Sequence, residues 1–369
     1  MNLNVHHTVP AGRPPLGPSN PSNVQWSEDQ ANLWYAQQPW MTGCNFNPST
    51  AINQIEMWQA ETFDPVTIDR ELGWAKSLGF NTMRVFLHYL VWQQDPAGLK
   101  QRMDQYLTIA ASHGIRTMFV FFDDCWNKEP QLGPQPDPVP GVHNSGWVQC
   151  PGHKEVTDTS LYPVLEAYLT DIMCTFAADE RVVMWDLYNE PGNSGHVNES
   201  VPLLTKVFEW AWSVRPSQPL TVGIWNFIPE FDLLNTMSMF YSDIVSFHHY
   251  MDIPHLEKII KMCQGYKRPV ICTEYMARTN KNYFETHMPV LKKHNIAAIN
   301  WGLVSGRSNT IYPWGSPEKT PEPAVWFHDI FRADGTPFCA REVSIIQELT
   351  ECLIIAMEAP QQTDESMVA

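Results

Sequence analysis

The chain has 369 residues, 44% of them hydrophobic, which is enough to bury one large core. It carries 40 Asp and Glu against 24 Lys and Arg, a formal charge of −16 at pH 7. A chain this acidic is a poor partner for nucleic acid or anionic membranes, and it has no apolar run of the length that a transmembrane helix needs.

The two ends of the chain are polar. Residues 1–25 are rich in Pro, Asn and Ser and lack the basic and apolar segments of a secretory signal peptide. This predicts a cytoplasmic protein, or a secreted or periplasmic one if a leader was removed. We predict a flexible segment over 1–25, one domain over 26–352 and a tail over 353–369.

Between the two ends, short apolar runs alternate with segments of helical periodicity. The runs are continuously apolar, as is typical of parallel strands covered on both faces. Eight strands are predicted, at Met41–Asn45, Thr82–Leu87, Thr117–Phe122, Val182–Tyr188, Leu220–Ile224, Ile244–His248, Val270–Thr273 and Ala298–Leu303.

The sequence also indicates where some of the intervening helices begin and end. Asp64 and Asp158 are placed to begin helices, and Gly79 and Gly114 to end them, each shortly before a strand. Eight strands with seven or eight helices favour a (β/α)8 TIM barrel, an α/β fold, over an open sheet. The barrel is predicted as a single domain with extended loops after strand three and strand eight, over 123–157 and 304–323.

Two glutamates end strands of the predicted barrel. Glu190 follows strand four in Tyr-Asn-Glu-Pro, and Glu274 follows strand seven in Cys-Thr-Glu-Tyr. Each alone is compatible with a structural role, but barrel enzymes keep their chemistry at the carboxyl ends of the strands. A pair of carboxylates there is what hydrolysis of a glycosidic bond needs. Because Pro191 disfavours helix at the preceding residue, extended backbone is predicted at Glu190.

These motifs resemble glycoside hydrolase clan A, the retaining β-glycosidases that include the family 5 cellulases and mannanases. The resemblance spans 43–330. It implies that Glu190, within Asn189-Glu190-Pro191, is the general acid/base and that Glu274 is the nucleophile. Asn189, beside Glu190, is predicted to hydrogen-bond a sugar hydroxyl. A charge on Glu274 would raise the pKa of Glu190.

The resemblance also implies supporting roles for four residues. Arg84 on strand two matches the arginine that supports the nucleophile, and a buried arginine needs an anionic partner such as Glu274, whose pKa it would lower. His248 and Tyr250 match a His-x-Tyr pair, and Trp301 matches the tryptophan under the reacting sugar. Each of three residues also has a structural alternative. Arg84 could form a salt bridge within the barrel, and His248 and Trp301 could be ordinary core residues.

One segment departs from the family 5 pattern, in which a histidine often stands near the end of strand three. This chain has Asp123, Asp124, Cys125 and Trp126 there. Asp123 and Asp124 are predicted either to bind sugar hydroxyls or to cap the loop. Trp126, together with Trp314 in the loop after strand eight, is predicted to contact the substrate.

We predict neither a metal ion nor a cofactor. His248 and His249 with Asp123 or Asp124 could form a metal site, but adjacent strand residues point to opposite faces, and neither a His-Glu-x-x-His motif nor a glycine-rich phosphate motif is present. The eight cysteines include no Cys-x-x-Cys pair. Free buried thiols are expected, with a Cys125–Cys150 disulfide as the alternative.

The predicted function is hydrolysis of β-glycosidic bonds by a retaining double displacement, with a carbohydrate as partner. A transglycosylase on the same barrel and a catalytically silent sugar-binding barrel are the alternatives. The sequence leaves open the sugar, the linkage and the oligomeric state. The long loops favour action at chain ends over action within chains.

Overall fold

The structure, a computed structural model, describes residues 25–351. The predicted flexible segment, apart from Gln25, and the predicted C-terminal tail lie outside the described residues.

Eight parallel strands close into a barrel in chain order, each paired with its sequence neighbours and β1 with β8. This confirms the predicted fold class. The strands are β1 (Thr42–Asn45), β2 (Thr82–Phe86), β3 (Arg116–Asp123), β4 (Val182–Asn189), β5 (Leu220–Ile224), β6 (Val245–His248), β7 (Val270–Glu274) and β8 (Ala297–Trp301). All eight overlap the predicted runs.

Helices surround the barrel, and the described part of the chain holds eleven α-helices. They are α1 (Glu28–Ala36), α2 (Gln54–Trp58), α3 (Pro65–Ser77), α4 (Tyr89–Gln94), α5 (Pro96–Ser112), α6 (Tyr162–Thr175), α7 (Val201–Val214), α8 (Asp232–Tyr241), α9 (Ile253–Gln264), α10 (Phe284–Lys293) and α11 (Ala340–Leu349). As predicted, Asp64 caps the start of α3 by accepting from the Thr67 N–H. Gly79 and Gly114 follow α3 and α5 with φ of 75° and 74°, a conformation that costs glycine nothing.

The core has a main layer between barrel and helices and a smaller cluster that includes α1. In the smaller cluster, Ala31 and Tyr35 of α1 pack with strand residues such as Met184 and Ile271. The Tyr35 hydroxyl also accepts from the N–H of Ala297, at the first residue of β8. α1 thus covers the amino-terminal ends of the strands, and the opposite face carries the polar residues described below.

The pairing register brings those polar residues together at the carboxyl ends of the strands. Asn45 lies beside Arg84 on one side and beside Trp301 on the other. His248 pairs with Glu274. Side chains from several neighbouring strands therefore meet at this end of the barrel.

The long loops lie where they were predicted. The loop after β3 carries no regular element before a short helical turn at Thr159–Leu161, and it pairs back on itself through Asp123 and Cys150. Cys125 and Cys150 are both buried free thiols, so the disulfide alternative is wrong. The Cys125 sulfur instead lies 3.2 Å from a carboxylate oxygen of Glu190. Within 25–351, every helix is too short or too polar to cross a membrane.

Candidate active site

A pocket of about 980 Å³, counting the space at its open mouth, lies at the carboxyl ends of the strands. Glu190 and Glu274 both line it, as do the predicted residues Asn189, His248 and Tyr250. Its wall also includes the predicted aromatic residues Trp126, Trp301 and Trp314. The structure thus brings eight of the eleven predicted site residues to one cavity.

Glu190 begins a tight turn rather than continuing the strand. Its φ is 47°, so the predicted extended backbone is wrong. The Glu190 N–H donates to the Gly223 carbonyl of the neighbouring strand at 3.2 Å, and its own carbonyl accepts from the Asn193 N–H at 3.0 Å. These two bonds hold Glu190 in the left-handed region against the preference of a residue before proline.

Asp124 anchors that turn from the loop after β3. Its carboxylate accepts from the Gly192 N–H at 2.7 Å and from the Ser200 hydroxyl at 2.6 Å. The Tyr188 hydroxyl donates to its other oxygen at 2.7 Å. Both carboxylate oxygens of Asp123 are likewise hydrogen-bonded, since they accept from the Asn189 amide, the Cys125 N–H and the Trp147 indole N–H.

Asp123 and Asp124 are 1% and 0% exposed, and neither lines the pocket. The expectation that they bind sugar hydroxyls does not fit this placement, because all their acceptor oxygens face protein donors. The alternative of loop capping fits better: each carboxylate bonds backbone N–H groups in the loops beside Glu190.

Arg84 connects the strand ends beneath Glu274. Its guanidinium donates to Glu274 at 2.9 Å and to Asp186 at 2.8 Å, and it is fully buried. It also donates to the side-chain oxygens of Asn45 and Asn189 at 2.8 and 2.7 Å. This fixed cation holds one oxygen of Glu274 and leaves the other directed toward Tyr250.

Tyr250 and His248 complete the surroundings of Glu274. The Tyr250 hydroxyl donates to Glu274 at 2.8 Å. Nδ1 of His248 lies 2.6 Å from Glu190 and 3.4 Å from Glu274, so this ring stands between the two carboxylates. Gly223 makes room for it, because a Cβ there would lie 2.8 Å from Nε2 of His248.

The two carboxylates are close to one another. An oxygen of Glu190, an oxygen of Glu274 and a ring nitrogen of His248 all lie within 4.8 Å of one another. Such a trio could hold a cation. The Arg84 guanidinium 2.9 Å from Glu274 would repel one, and the absence of a metal stays a prediction.

Burial is the largest influence on the pKa values of Glu190, Glu274 and His248. It raises the pKa of Glu190, and the Cys125 thiol, the Asn193 amide and the charge of Arg84 oppose that rise. It also raises the pKa of Glu274, where His248, Arg84 and the Tyr250 hydroxyl oppose the rise and a charge on Glu190 adds to it. Burial lowers the pKa of His248 to about 4, so the ring is neutral at pH 7.

These directions differ in part from the sequence prediction. The pKa of Glu190 rises because the carboxyl is desolvated, rather than mainly because Glu274 is charged. Arg84 and Tyr250 each bond Glu274 directly, and neither bonds Glu190. Glu190 has the uncharged donors Cys125 and Asn193 instead, so the cationic donor of the site bonds Glu274.

Aromatic rings form much of the pocket wall. Trp301 packs edge-on against Phe86 and Trp147 at centroid distances of 5.8 and 5.6 Å, and it is partly buried. Trp126 and Trp314 are 43% and 42% exposed at the rim. Trp314 packs against Tyr250 at 4.9 Å, which ties the loop after β8 to the residue that bonds Glu274.

Sequence reasoning missed five residues that contact the predicted ones, as well as other pocket-lining residues such as Asn144. Asp186 and Asn45 hold Arg84, Cys125 and Asn193 contact Glu190, and Trp147 packs beside Trp301. Asp186 could have been found, because a buried aspartate in an apolar strand needs a cation, as Arg84 needs an anion. Asn45 ends β1, and the other three depend on loop paths that no local pattern encodes.

Comparison with known proteins supports the fold alone. No family model and no curated protein matches the sequence. The chain is similar in structure to an exo-β-1,4-mannosidase from Opitutaceae bacterium strain TAV5, with 16% identity, a TM-score of 0.57 and coverage of 84% of this chain and 60% of that one. It therefore spans less than two thirds of that protein.

Two other solved structures are similar at greater coverage. One is a GH5_18 protein from Streptomyces cattleya in complex with Manβ1-4GlcNAc, with 12% identity, a TM-score of 0.59 and coverage of 87% of this chain and 82% of that one. The other is an endo-1,4-β-D-mannanase from Thermotoga petrophila RKU-1, with 14% identity, a TM-score of 0.56 and coverage of 85% and 99%. All three share the barrel with this chain.

Proposed function

We propose that this protein is a retaining glycoside hydrolase that cleaves β-glycosidic bonds by double displacement. The observation that carries the proposal is the pair Glu190 and Glu274, with oxygens within 4.8 Å of one another in an aromatic pocket. Retaining enzymes hold their carboxylates about 5–5.5 Å apart, whereas inverting enzymes need about 6.5–9.5 Å to admit a water molecule.

The first half-reaction assigns one role to each carboxyl group. Glu190 gives its proton to the glycosidic oxygen as the bond to the anomeric carbon breaks, and the leaving group departs as an alcohol. A Glu274 oxygen forms a new bond to that carbon, giving a glycosyl ester. The Arg84 guanidinium bonded to Glu274 supports this assignment, because a cation favours the ionised carboxylate there and leaves the proton to Glu190.

The second half-reaction reverses the role of Glu190. Esterification removes the negative charge of Glu274, and Glu190 is already ionised because it has given up its proton. It accepts a proton from a water molecule, whose oxygen bonds to the anomeric carbon while the ester bond to Glu274 breaks. The sugar leaves with its original configuration. Arg84 and Tyr250 hold Glu274 throughout, and Trp301 offers a flat apolar face to the sugar ring.

The test is hydrolysis of aryl β-glycosides by the wild type, Glu190→Ala and Glu274→Ala, with and without azide. β-Mannosides come first in the panel, because the similar solved structures include a mannosidase and a mannanase. β-Glucosides, β-galactosides and β-xylosides follow. Glu71→Gln is the matched control, since Glu71 is also a fully buried glutamate but lies outside the pocket.

We expect Glu274→Ala to lose turnover and to form the α-glycosyl azide when azide is added. Glu190→Ala should form the β-glycosyl azide from a substrate with an activated leaving group, and Glu71→Gln should retain activity. Wild-type activity that survives in both alanine variants would refute the proposal. Products longer than the substrate would identify the transglycosylase alternative.

A further inference from the structure

One side of the pocket is lined by the loops after β3 and β8, and both of these loops bond to a third one, the loop after β1. The loop after β1 reaches the loop after β3 through Asn53, whose amide donates to the Gly146 carbonyl at 2.8 Å. It also meets the loop after β8, where Arg307 donates to Glu56 at 3.0 Å. These loops follow strands that are neighbours, or nearly so, around the barrel.

The loops after β3 and β8 are joined directly, mostly through their main chains. The Asn144 N–H donates to the Ser308 carbonyl at 2.9 Å, and the Lys319 N–H donates to the Pro140 carbonyl at 2.7 Å. A ring nitrogen of His143 lies 2.7 Å from the Tyr312 carbonyl. Opening this wall would break all of these bonds together, so it is a fixed wall rather than a lid.

This wall begins immediately beside Trp301. Trp147 is 2% exposed, its ring centroid is 5.6 Å from that of Trp301, and its indole N–H donates to Asp123 at 2.7 Å. The two indoles are in contact, so no sugar ring fits between them. A second cavity lies beyond them, lined by Trp147, Trp301 and residues of the loop after β8. Trp147 and Trp301 therefore separate this small cavity from the pocket and end the pocket on this side.

The chemistry sets which end of a substrate meets the wall. Glu190 on β4 protonates the leaving oxygen, so the leaving group lies toward the loops after β4 and β5. The sugar on Trp301 is the one transferred to Glu274, and its non-reducing end points away from Glu190, toward β8, β1 and β2. The side of the pocket near β5 and β6 is lined by Trp225 and Phe227 from the loop after β5 and by the half-exposed Met251.

We propose that the protein acts on the non-reducing end of β-linked chains and releases one sugar at a time. In this proposal the wall admits a single sugar beyond the cleaved bond, because the contact between Trp147 and Trp301 ends the pocket there. This inference rests on the proposed function and adds to it the mode of action and the substrate class, short oligosaccharides with a free non-reducing end.

Asn144 is the polar group of the wall that is free to bind this terminal sugar. It is 3% exposed, it lines the pocket, and its side-chain oxygen has no hydrogen-bond partner in the described structure. A buried acceptor without a donor costs free energy until one arrives, and a sugar hydroxyl is such a donor. We therefore assign Asn144 as a residue that binds a hydroxyl of the terminal sugar.

The mode of action is tested with a 4-nitrophenyl β-monoglycoside and the matching β-linked 4-nitrophenyl disaccharide, made from the sugar that the wild type hydrolyses. We expect the disaccharide to release the single sugar first, so that nitrophenol appears only after a lag. Immediate release of nitrophenol together with the intact disaccharide would overturn the proposal while leaving the retaining mechanism in place. Failure to cleave any member of the panel would refute the proposed function and this inference with it.

The role of Asn144 is tested with Asn144→Gly and Asn144→Asp. The backbone at Asn144 has a φ of 46°, which glycine adopts freely, so the first variant removes only the amide. We expect kcat/KM for the monoglycoside to fall about tenfold in Asn144→Gly and to stay within about threefold of the wild type in Asn144→Asp, which keeps an acceptor oxygen. Asn295→Gly, at an exposed asparagine with a φ of 52°, is the matched control. Wild-type kinetics in Asn144→Gly would overturn the assignment.

Discussion

At the scale of single residues, Arg84 has the most demanding position in the molecule. It is a fully buried cation between two buried carboxylates, Asp186 and Glu274. Such a cluster is favourable only when every charge has a partner, because desolvation of each ion costs several kcal/mol. The residue that orients Glu274 is therefore also a residue on which folding depends.

Arg84→Met should destabilise the protein by about 3–5 kcal/mol, because it leaves two buried carboxylates without their cation. Urea unfolding at pH 7 measures the change. Arg181→Met is the control: Arg181 forms ion pairs with Asp104 and Asp179 but is partly exposed, so its loss should cost about 1 kcal/mol or less. Equal losses in the two variants would contradict the role given to Arg84.

The Cys125 thiol affects the pKa of Glu190. Burial raises the pKa of the Cys125 thiol well above its usual range, so the sulfur keeps its proton and can donate to the carboxylate 3.2 Å away. A donor stabilises the ionised form of Glu190 and lowers its pKa. Cys125→Ala should therefore raise the pKa of Glu190.

The alkaline limb of kcat/KM against pH should move upward in Cys125→Ala, by up to about one pH unit. The pH profile with an aryl glycoside measures the shift. Cys174→Ala, at an exposed cysteine, should leave the profile unchanged. A downward shift in Cys125→Ala would show that the thiol does not donate to Glu190.

At the scale of elements, the segment that links β4 to α7 determines where Glu190 points. Asp124, from the neighbouring loop, binds the Gly192 N–H and the Ser200 hydroxyl within this segment. Burial raises the pKa of Asp124 to about 7, opposed by these donors and by the Tyr188 hydroxyl. The turn is thus held by the Asp124 carboxyl group, whose pKa lies close to neutral pH.

Asp124→Ala should cost about 2–3 kcal/mol of stability, because the Tyr188 and Ser200 hydroxyls lose their acceptor and the Gly192 N–H keeps only the Ser200 oxygen at 3.2 Å. It should also lower kcat, since Glu190 loses its fixed position, whereas Asp124→Asn keeps an acceptor oxygen and should be milder on both counts. Denaturant unfolding and kcat with an aryl glycoside are the measurements. Asp158→Ala, which removes an exposed cap outside the pocket, serves as control. An unchanged kcat in Asp124→Ala would contradict a positioning role.

At the scale of the whole molecule, buried acids set the dependence of stability on pH. Glu71 on α3 is fully buried and accepts from the Ser49 N–H and hydroxyl, and burial raises its pKa from 4.5 to about 7. Between these two values the folded state binds more protons than the unfolded state. The free energy of unfolding therefore falls as pH rises through this window.

Glu71→Gln should remove part of this dependence, because glutamine does not titrate. The wild type should lose up to about 3 kcal/mol more stability between pH 4.5 and pH 8 than the variant does. Unfolding free energies at the two pH values measure the difference, with Glu166→Gln at an exposed helix position as control. Parallel pH profiles for the wild type and Glu71→Gln would contradict the raised pKa.

The sequence by itself determined the barrel and the position of its two glutamates along the chain. Apolar runs, helical stripes and glycines such as Gly79 are local signals, and parallel strands that alternate with helices have few ways to close. The carboxyl ends of parallel strands share one face, so the pattern also placed Arg84, Glu190 and Glu274 on the same side.

The tertiary structure decided what the residues between those strands do. Asp123 and Asp124 bond protein donors rather than facing the pocket, Glu190 stands in a left-handed turn, and Cys125 contacts Glu190 instead of Cys150. Each outcome depends on hydrogen bonds between loops far apart in sequence. Sequence periodicity reports which face of an element is buried, but loop paths follow from partners that only the closed barrel brings within reach.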